Sequence, residues 1–238
     1  MRILITGASS GIGKQLALDY LSQQHQVVGV ARGDLSELEQ QGLQALRCDV
    51  TDFQQVREVL GAQDAFDIVV LCAGNCEYTD PEHFDAELCQ RVWQVNLQGV
   101  ANCLDALWPK LYAPCKLAIV GSLARLLPFT RASAYGSSKA ALHYLASSLR
   151  VDLAPRGVTV HYVQPGFVKT PLTDKNNFAM PQLISPDKAS WAIRNGLEQG
   201  RWTISFPTRF SAILRLISIL PQSWQQKICI HLANSEAQ

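Results

Sequence analysis

Short runs of branched apolar residues recur along this chain at 2–6, 26–31, 45–48, 67–73, 116–121, 159–164 and 202–206. Several are nearly continuous in Val, Ile and Leu, as strands buried on both faces must be. The stretches between them, including 11–23, 53–60, 85–111 and 133–153, carry the apolar spacing of helices. Strand–helix alternation of this kind specifies α/β architecture: a single doubly wound domain whose mostly parallel seven-stranded sheet has helices on both faces. A length of 238 residues suits one such domain, and no repeat, low-complexity stretch or linker divides it. The alternation lapses twice, within 167–186 and in an amphipathic tail over 207–238.

The turn after the first run is Thr6-Gly7-Ala8-Ser9-Ser10-Gly11-Ile12-Gly13, and it opens the first helix. Glycines there let the backbone turn tightly and approach a pyrophosphate. The helix N-terminus adds unpaired N–H groups and a dipole that favours phosphate. An ordinary strand–helix turn is the alternative, and three glycines in this position count against it. The spacing is Gly-x-x-x-Gly-x-Gly, not the more familiar Gly-x-Gly-x-x-Gly.

Tyr135-Gly-Ser-Ser-Lys139 lies thirteen residues beyond Ser122. On a helix, positions four apart share a face, so a phenol and an ammonium group sit side by side. The positive charge is expected to lower the phenol's pKa, so that it exchanges a proton near neutral pH. Ser122 follows an apolar run and so falls at the carboxyl end of a strand, the ligand edge of an open α/β sheet. The ordinary reading of such a serine is a cap. Ser133, Ser137 and Ser138 are less well spaced, and His143 is expected to be a packed helix residue.

Glycine loop, Ser122, Tyr135 and Lys139 together resemble the short-chain dehydrogenase/reductase family, and the resemblance runs from Arg2 to about Trp202. Cys48-Asp49-Val50 matches the aspartate that members place against the adenine. Ala73-Gly74 matches the end of the family's Asn-Asn-Ala-Gly segment, whose two asparagines are Leu71 and Cys72 here. That change leaves the bracing of the fourth strand in question. Val95-Asn96-Leu97-Gln98-Gly99 carries the family's helix asparagine. Gln164-Pro165-Gly166, then Val168 and Thr170, matches the turn and the threonine beside the nicotinamide carboxamide. The resemblance implies that Ser122 holds the substrate oxygen and that Tyr135 is acid in reduction and base in oxidation. It implies that Lys139 tunes the tyrosine and holds the nicotinamide ribose, while Asn96 holds a water linking Lys139 to solvent. The hydride chemistry belongs to the cofactor.

The second run ends in Ala31-Arg32. An acid there would accept the ribose 2′-hydroxyl of NAD, whereas arginine accommodates the 2′-phosphate of NADP. NADP (NADPH) is therefore the expected cofactor and NAD the alternative, with Asp34 placed to repel the phosphate or to pair with Arg32. Leu126, Leu127, Phe129, Phe167, Leu172, Phe178 and Met180 form a mostly apolar candidate pocket, which points to a hydrophobic carbonyl or alcohol substrate.

The tail places Phe210, Ile213, Leu214, Ile217 and Leu220 at helical spacing. It is expected to pack on protein near the pocket; contact with a membrane surface, flanked by Arg209 and Arg215, is the rival. The 21 basic and 20 acidic side chains give no nucleic-acid footprint. Met1-Arg2 leads into the first run with no apolar leader, so a cytoplasmic location is expected. The seven cysteines (Cys48, Cys72, Cys76, Cys89, Cys103, Cys115 and Cys229) have no metal-ligand spacing, and buried reduced thiols are expected. By resemblance, 85–111 and 133–153 pair across a two-fold axis, which implies a homodimer or homotetramer. The expectation is an NADP(H)-dependent oxidoreductase. Its rivals are a non-catalytic nucleotide-binding regulator and a lipid-modifying reductase held at a membrane surface.

Overall fold

The computed structural model describes residues 1–176 and 178–236. Among them, β1 (Arg2–Thr6), β2 (Gln26–Ala31), β3 (Gln44–Arg47), β4 (Ile68–Leu71), β5 (Lys116–Val120), β6 (Thr159–Pro165) and β7 (Thr203–Phe206) form one sheet. Its order is β3-β2-β1-β4-β5-β6-β7, and every neighbouring pair is parallel. The helices are α1 (Gly11–Ser22), α2 (Ser36–Glu39), α3 (Phe53–Gly61), α4 (Ala86–Trp93), α5 (Gly99–Leu107), α6 (Ser133–Asp152), α7 (Pro186–Glu198), α8 (Thr208–Ser218) and α9 (Gln222–Glu236). Asp52, Asp85 and Ser185 cap α3, α4 and α7 by accepting a backbone N–H three residues on.

Because the strands are covered on both faces, the core has two halves. Leu16, Leu38 and Ile193 bring α1, α2 and α7 against one face. Val56, Leu104 and Leu149 bring α3, α5 and α6 against the other. Strand order reverses between β1 and β4, so their connections part in opposite directions and leave a crevice at the carboxyl ends.

Two expectations change in detail. The fourth strand ends at Leu71, not at residue 73, because the next two N–H groups leave the ladder: Cys72 and Ala73 both donate to Thr6 Oγ1 at 3.0 Å. That hydroxyl braces the segment whose asparagines are missing. The single helix expected over 85–111 is interrupted by a π-helical turn over Gln94–Gln98 and ends in a 3₁₀ turn over Trp108–Lys110. The π turn carries Asn96, fully buried, and such bulges are frequent at functional sites.

In the tail, Phe210, Leu214 and Ile217 pack with Leu123, Leu127 and Cys229. Among the described residues no helix is long and apolar enough to cross a membrane.

Candidate active site

The crevice is a cleft of about 590 Å³ lined from both sides of the switch point. Gly7, Ser9, Ser10, Gly11, Ile12 and Gly13 form one wall. Gly7 sits at φ 71, and a Cβ there would lie 2.9 Å from Ala73 Cα. At Gly13 a Cβ would meet the Gly7 carbonyl oxygen at 2.3 Å, so the loop closes only on glycine. Ser10 is the N-cap of α1 but makes no side-chain cap bond. The first N–H groups of the helix thus face the cleft, as an anion site requires.

At the far end of β2, Arg32, Gly33, Asp49 and Val50 line the same cleft. Arg32 Nη1 lies 3.2 Å from Asp49 Oδ2, and the arginine side chain is 69% exposed. Asp49 also accepts from the Thr51 N–H and hydroxyl at 2.9 and 2.8 Å. Burial pushes its pKa up, but these bonds and Arg32 together hold its carboxyl below the usual range. Asp34 neither pairs with Arg32 nor faces the cleft. It accepts from Ser36 N and Oγ at 3.1 and 2.7 Å and lies 3.7 Å from Arg47. The Asx turn that starts α2 aims it away.

The opposite wall brings together Ala73, Gly74, Ser122, Tyr135, Lys139, Pro165, Gly166, Val168 and Thr170. Ser122 leaves the end of β5, and its Oγ accepts from Ala124 N at 3.0 Å. The same hydroxyl is hydrogen-bonded to the Tyr135 phenol. The serine is therefore both a cap and a partner of the tyrosine. Lys139 Nζ lies 5.6 Å from the Tyr135 ring centroid and donates to Val120 O at 3.0 Å.

The electrostatics depart from expectation. Burial, not the ammonium, dominates Tyr135 and raises its pKa, with the Cys76 thiol adding to the rise. Burial lowers Lys139 to about 8. Spacing puts the two groups on one face, but the low-dielectric site acts on each in the direction that disfavours charge. The phenol holds its proton near neutral pH.

Asn96 does not line the cleft; its side chain lies beneath it. Oδ1 accepts from Asn75 N at 2.7 Å, and Nδ2 donates to Asn75 O at 2.9 Å and Ser138 Oγ at 3.0 Å. A Cβ at Gly74 would come 3.3 Å from Asn96 Oδ1 and 3.6 Å from Lys139 Nζ. The amide thus clamps the Gly74–Asn75 backbone against the lysine.

The apolar candidates divide. Leu172 lines the cleft. Phe178 meets Phe167 and Tyr78 edge-on, with ring centroids 6.0 and 5.3 Å apart. Leu126, Leu127 and Phe129 pack with the tail, while Met180 Sδ takes an N–H from Asn176. His143 is packed edge-on against Tyr162 at 4.9 Å. Five cysteines are buried free thiols, but Cys72 and Cys76 are half-buried, and Cys72 lines the cleft beside the reacting groups.

Sequence reasoning missed Asn75, Tyr78 and Tyr162. Tyr162 is fully buried on β6. Its hydroxyl donates to Lys139 O at 2.8 Å and receives the Ser122 backbone N–H. A Cβ at Gly121 would lie 2.0 Å from that hydroxyl. The signal available in sequence was the glycine itself, placed at a strand end where no turn needs one.

A family model described as short chain dehydrogenase matches residues 1–180. An uncharacterized oxidoreductase of Myxococcus xanthus is 34% identical over 233 residues, covering 92% of each chain. An NADPH-dependent 1-acyldihydroxyacetone phosphate reductase of Schizosaccharomyces pombe is 34% identical over 196 residues, 79% of this chain and 66% of that protein. The solved structure of a Sphingobium yanoikuyae short-chain dehydrogenase in complex with NADPH superposes with a TM-score of 0.79 at 25% identity. It covers 93% of this chain and 97% of that one.

Proposed function

The chain belongs to the short-chain dehydrogenase/reductase family, and on that premise we propose that it is an NADP(H)-dependent oxidoreductase interconverting a ketone and a secondary alcohol on a hydrophobic substrate. The observation that carries this reading is the convergence of the Ser122 hydroxyl, the Tyr135 phenol and the Lys139 ammonium on one wall of the cleft. A regulator that only bound nucleotide would need the glycine loop but not this trio.

The cleft suits a dinucleotide. The glycine cradle and the open N-terminus of α1 fit a pyrophosphate. Arg32 and Ser9 both line the cleft at the end of β2, and Ser9 Oγ comes 3.1 Å from where a Cβ at Gly33 would lie. An arginine at this place, with no acid at Ala31, favours a 2′-phosphate. The Arg32–Asp49 pair is too exposed to compete strongly with a phosphate. When bound, the nicotinamide supplies or accepts the hydride.

The chain's own residues do the rest. Ser122 holds the substrate oxygen. Tyr135, protonated in this site, donates its proton to that oxygen as a carbonyl is reduced. Lys139 stabilises the phenolate left behind. Asn96 and Tyr162 hold the backbone on either side of the lysine. Leu172 on the cleft wall and Phe210 behind Gly166 favour an apolar substituent on the substrate. The ketone named for the fission-yeast relative, an acylated dihydroxyacetone phosphate, belongs to such a class.

The test is a panel of aliphatic, aromatic and acyl-bearing ketones followed by NADPH absorbance, with wild type and Tyr135→Phe. Wild type should turn over at least one apolar ketone. The variant should lose about 10²–10⁴-fold in kcat with NADPH affinity nearly unchanged. Near-normal kcat in Tyr135→Phe would overturn the assignment.

A further inference from the structure

Helix α8 is apolar on two sides. Phe210, Leu214 and Ile217 pack inward with Leu123, Leu127 and Cys229. Ile213, Leu216 and Ile219 are turned out and are 51%, 65% and 78% exposed. Trp224 and Ile230 of α9 add two more, at 59% and 60%. The outer residues of both helices make one short segment unusually rich in exposed apolar side chains. Such concentrations mark a docking surface rather than ordinary scatter.

Charge identifies what the surface fits. From Thr208 to Glu236 the two helices hold Arg209, Arg215 and Lys227 against a single acid, Glu236 at the end of α9. Arg209 and Lys227 form no ion pair among the described residues. Arg215 donates to the neutral Ser205 hydroxyl at 2.8 Å. A second copy of this chain is a poor occupant. A two-fold contact places the same patch on both sides, so three cations would meet three cations with only the terminal Glu236 to offset them. An anionic surface answers both the charge and the apolar face. A polar-flanked helix bearing Lys, Arg, Trp and Leu is the form that lies in a lipid headgroup layer. At 11 and 15 residues, α8 and α9 lie on such a layer and do not cross it.

We propose that α8 and α9 dock this protein on an anionic phospholipid surface, with Ile213, Leu216, Ile219 and Trp224 at the headgroup boundary and Arg209 and Lys227 against lipid phosphate, while Arg215 stays on Ser205 of β7. The docking face is the reverse side of the wall that carries Phe210. That ring lies tilted against Phe167 with centroids 6.0 Å apart, and its Cδ1 is 3.2 Å from where a Cβ on Gly166 would lie. Since Gly166 lines the cleft, docking brings the substrate side to within about one helix diameter of the lipid. The docking does not depend on the proposed reaction, so its test reads binding and not turnover alone.

Full-length protein is sedimented with vesicles of phosphatidylcholine alone and with phosphatidylcholine containing about one third phosphatidylglycerol. It should pellet with the anionic vesicles, and 0.5 M salt should release it, on the order of the Debye screening expected for surface charge. Arg209→Gln with Lys227→Gln should weaken partitioning by roughly fivefold per cation. Leu216→Glu with Ile219→Glu should abolish it. Both pairs are exposed, so melting temperature and turnover of a soluble ketone should stay at wild-type values. No pelleting with anionic vesicles would overturn the proposal, and so would equal pelleting with both vesicle types. A wild-type oligomer that Leu216→Glu converts to a smaller species would assign the face to a second copy instead.

Discussion

Lys139 carries the largest conflict between folding and chemistry at the level of one residue. Its ammonium is buried and donates to Val120 O, and its pKa falls from 10.5 to about 8. A folded pKa below the unfolded one means the unfolded chain binds more protons between about 8 and 10.5, so stability rises as pH climbs through that window. At pH 7 the full cost is present, about 3 kcal/mol at 1.36 kcal/mol per unit. Lys139→Met should therefore stabilise the cofactor-free protein at pH 7 by about 2 kcal/mol, after about 1 kcal/mol for the carbonyl left without a donor. It should also abolish turnover. Denaturant melts of both proteins should converge as pH approaches 10.5, and a variant less stable than wild type at pH 7 would refute the argument. Arg32 is the second single-residue test. Arg32→Ala should weaken NADPH binding by about 1.5–3 kcal/mol, the worth of a hydrogen bond to a charged group, and leave NADH nearly untouched. Fluorescence titration with both cofactors decides it; tighter NADH binding by wild type would refute the reading of Arg32. These residues were legible in sequence because chemistry at fixed spacing survives any packing detail. The direction of the Tyr135 shift was not. Spacing reports which groups are neighbours, whereas the shift depends on how much water the fold excludes.

Between elements, the decisive contact joins β5, β6 and α6. One hydroxyl, on Tyr162, touches the backbone of Ser122 and of Lys139, and it occupies the space a Gly121 side chain would need. The backbone of Gly121 does not require glycine by its φ, since it is not among the positive-φ positions. The requirement is spatial. Gly121→Ala should therefore cost about 1–3 kcal/mol by overpacking and should lower kcat by shifting Ser122, with little change in NADPH affinity. Adding Tyr162→Phe should not rescue it, because a Cβ at Gly121 also falls 2.1 Å from the Tyr162 Cζ. Adding Tyr162→Val should recover part of the melting temperature. A stable, fully active Gly121→Ala would show that the strand end is not fixed this way. Elements of this kind are only partly legible. Apolar periodicity located the segment 85–111 as helical, but a periodicity argument carries no information about a one-residue insertion. The π turn is set by Asn96 reaching Asn75 across a loop, a long-range polar contact that no local window contains. The two-sided character of α8 was hidden for the same reason: the stripe read at 210, 213, 214, 217 and 220 was expected to face protein, but only Phe210, Leu214 and Ile217 pack inward while Ile213 is turned out, because the exposed face is defined by what does not cover it.

For the whole molecule, the sheet was the most legible feature, because a parallel strand buried on both faces must be apolar throughout and the loop chemistry fixes where a dinucleotide cleft can open. Assembly is the least legible, since it depends on surfaces whose sequence constraints are weak. The outer side of α6 exposes Tyr144 and Val151, at 79% and 73%, and they lie seven residues apart on one face. On the adjoining α4, Trp93 is 44% exposed while its Nε1 donates to Ala134 O and Ser137 Oγ on α6 at 3.1 and 3.0 Å. The indole is thus pinned in place with an apolar face outward, a preorganised contact that loses little entropy on association. A two-fold axis across α4 and α6 would bury these rings against their own copies, the commonest closed arrangement for like subunits. Light scattering at micromolar concentration should give twice or four times the subunit mass. Tyr144→Glu with Val151→Glu should reduce that mass and leave the monomer folded, since both side chains are solvent-facing in the single chain. Leu216→Glu on the tail should leave the mass unchanged, because that face is built for a different surface. A wild-type protein that is monomeric throughout, or one whose oligomer ignores the α6 substitutions, would remove α4 and α6 as the interface.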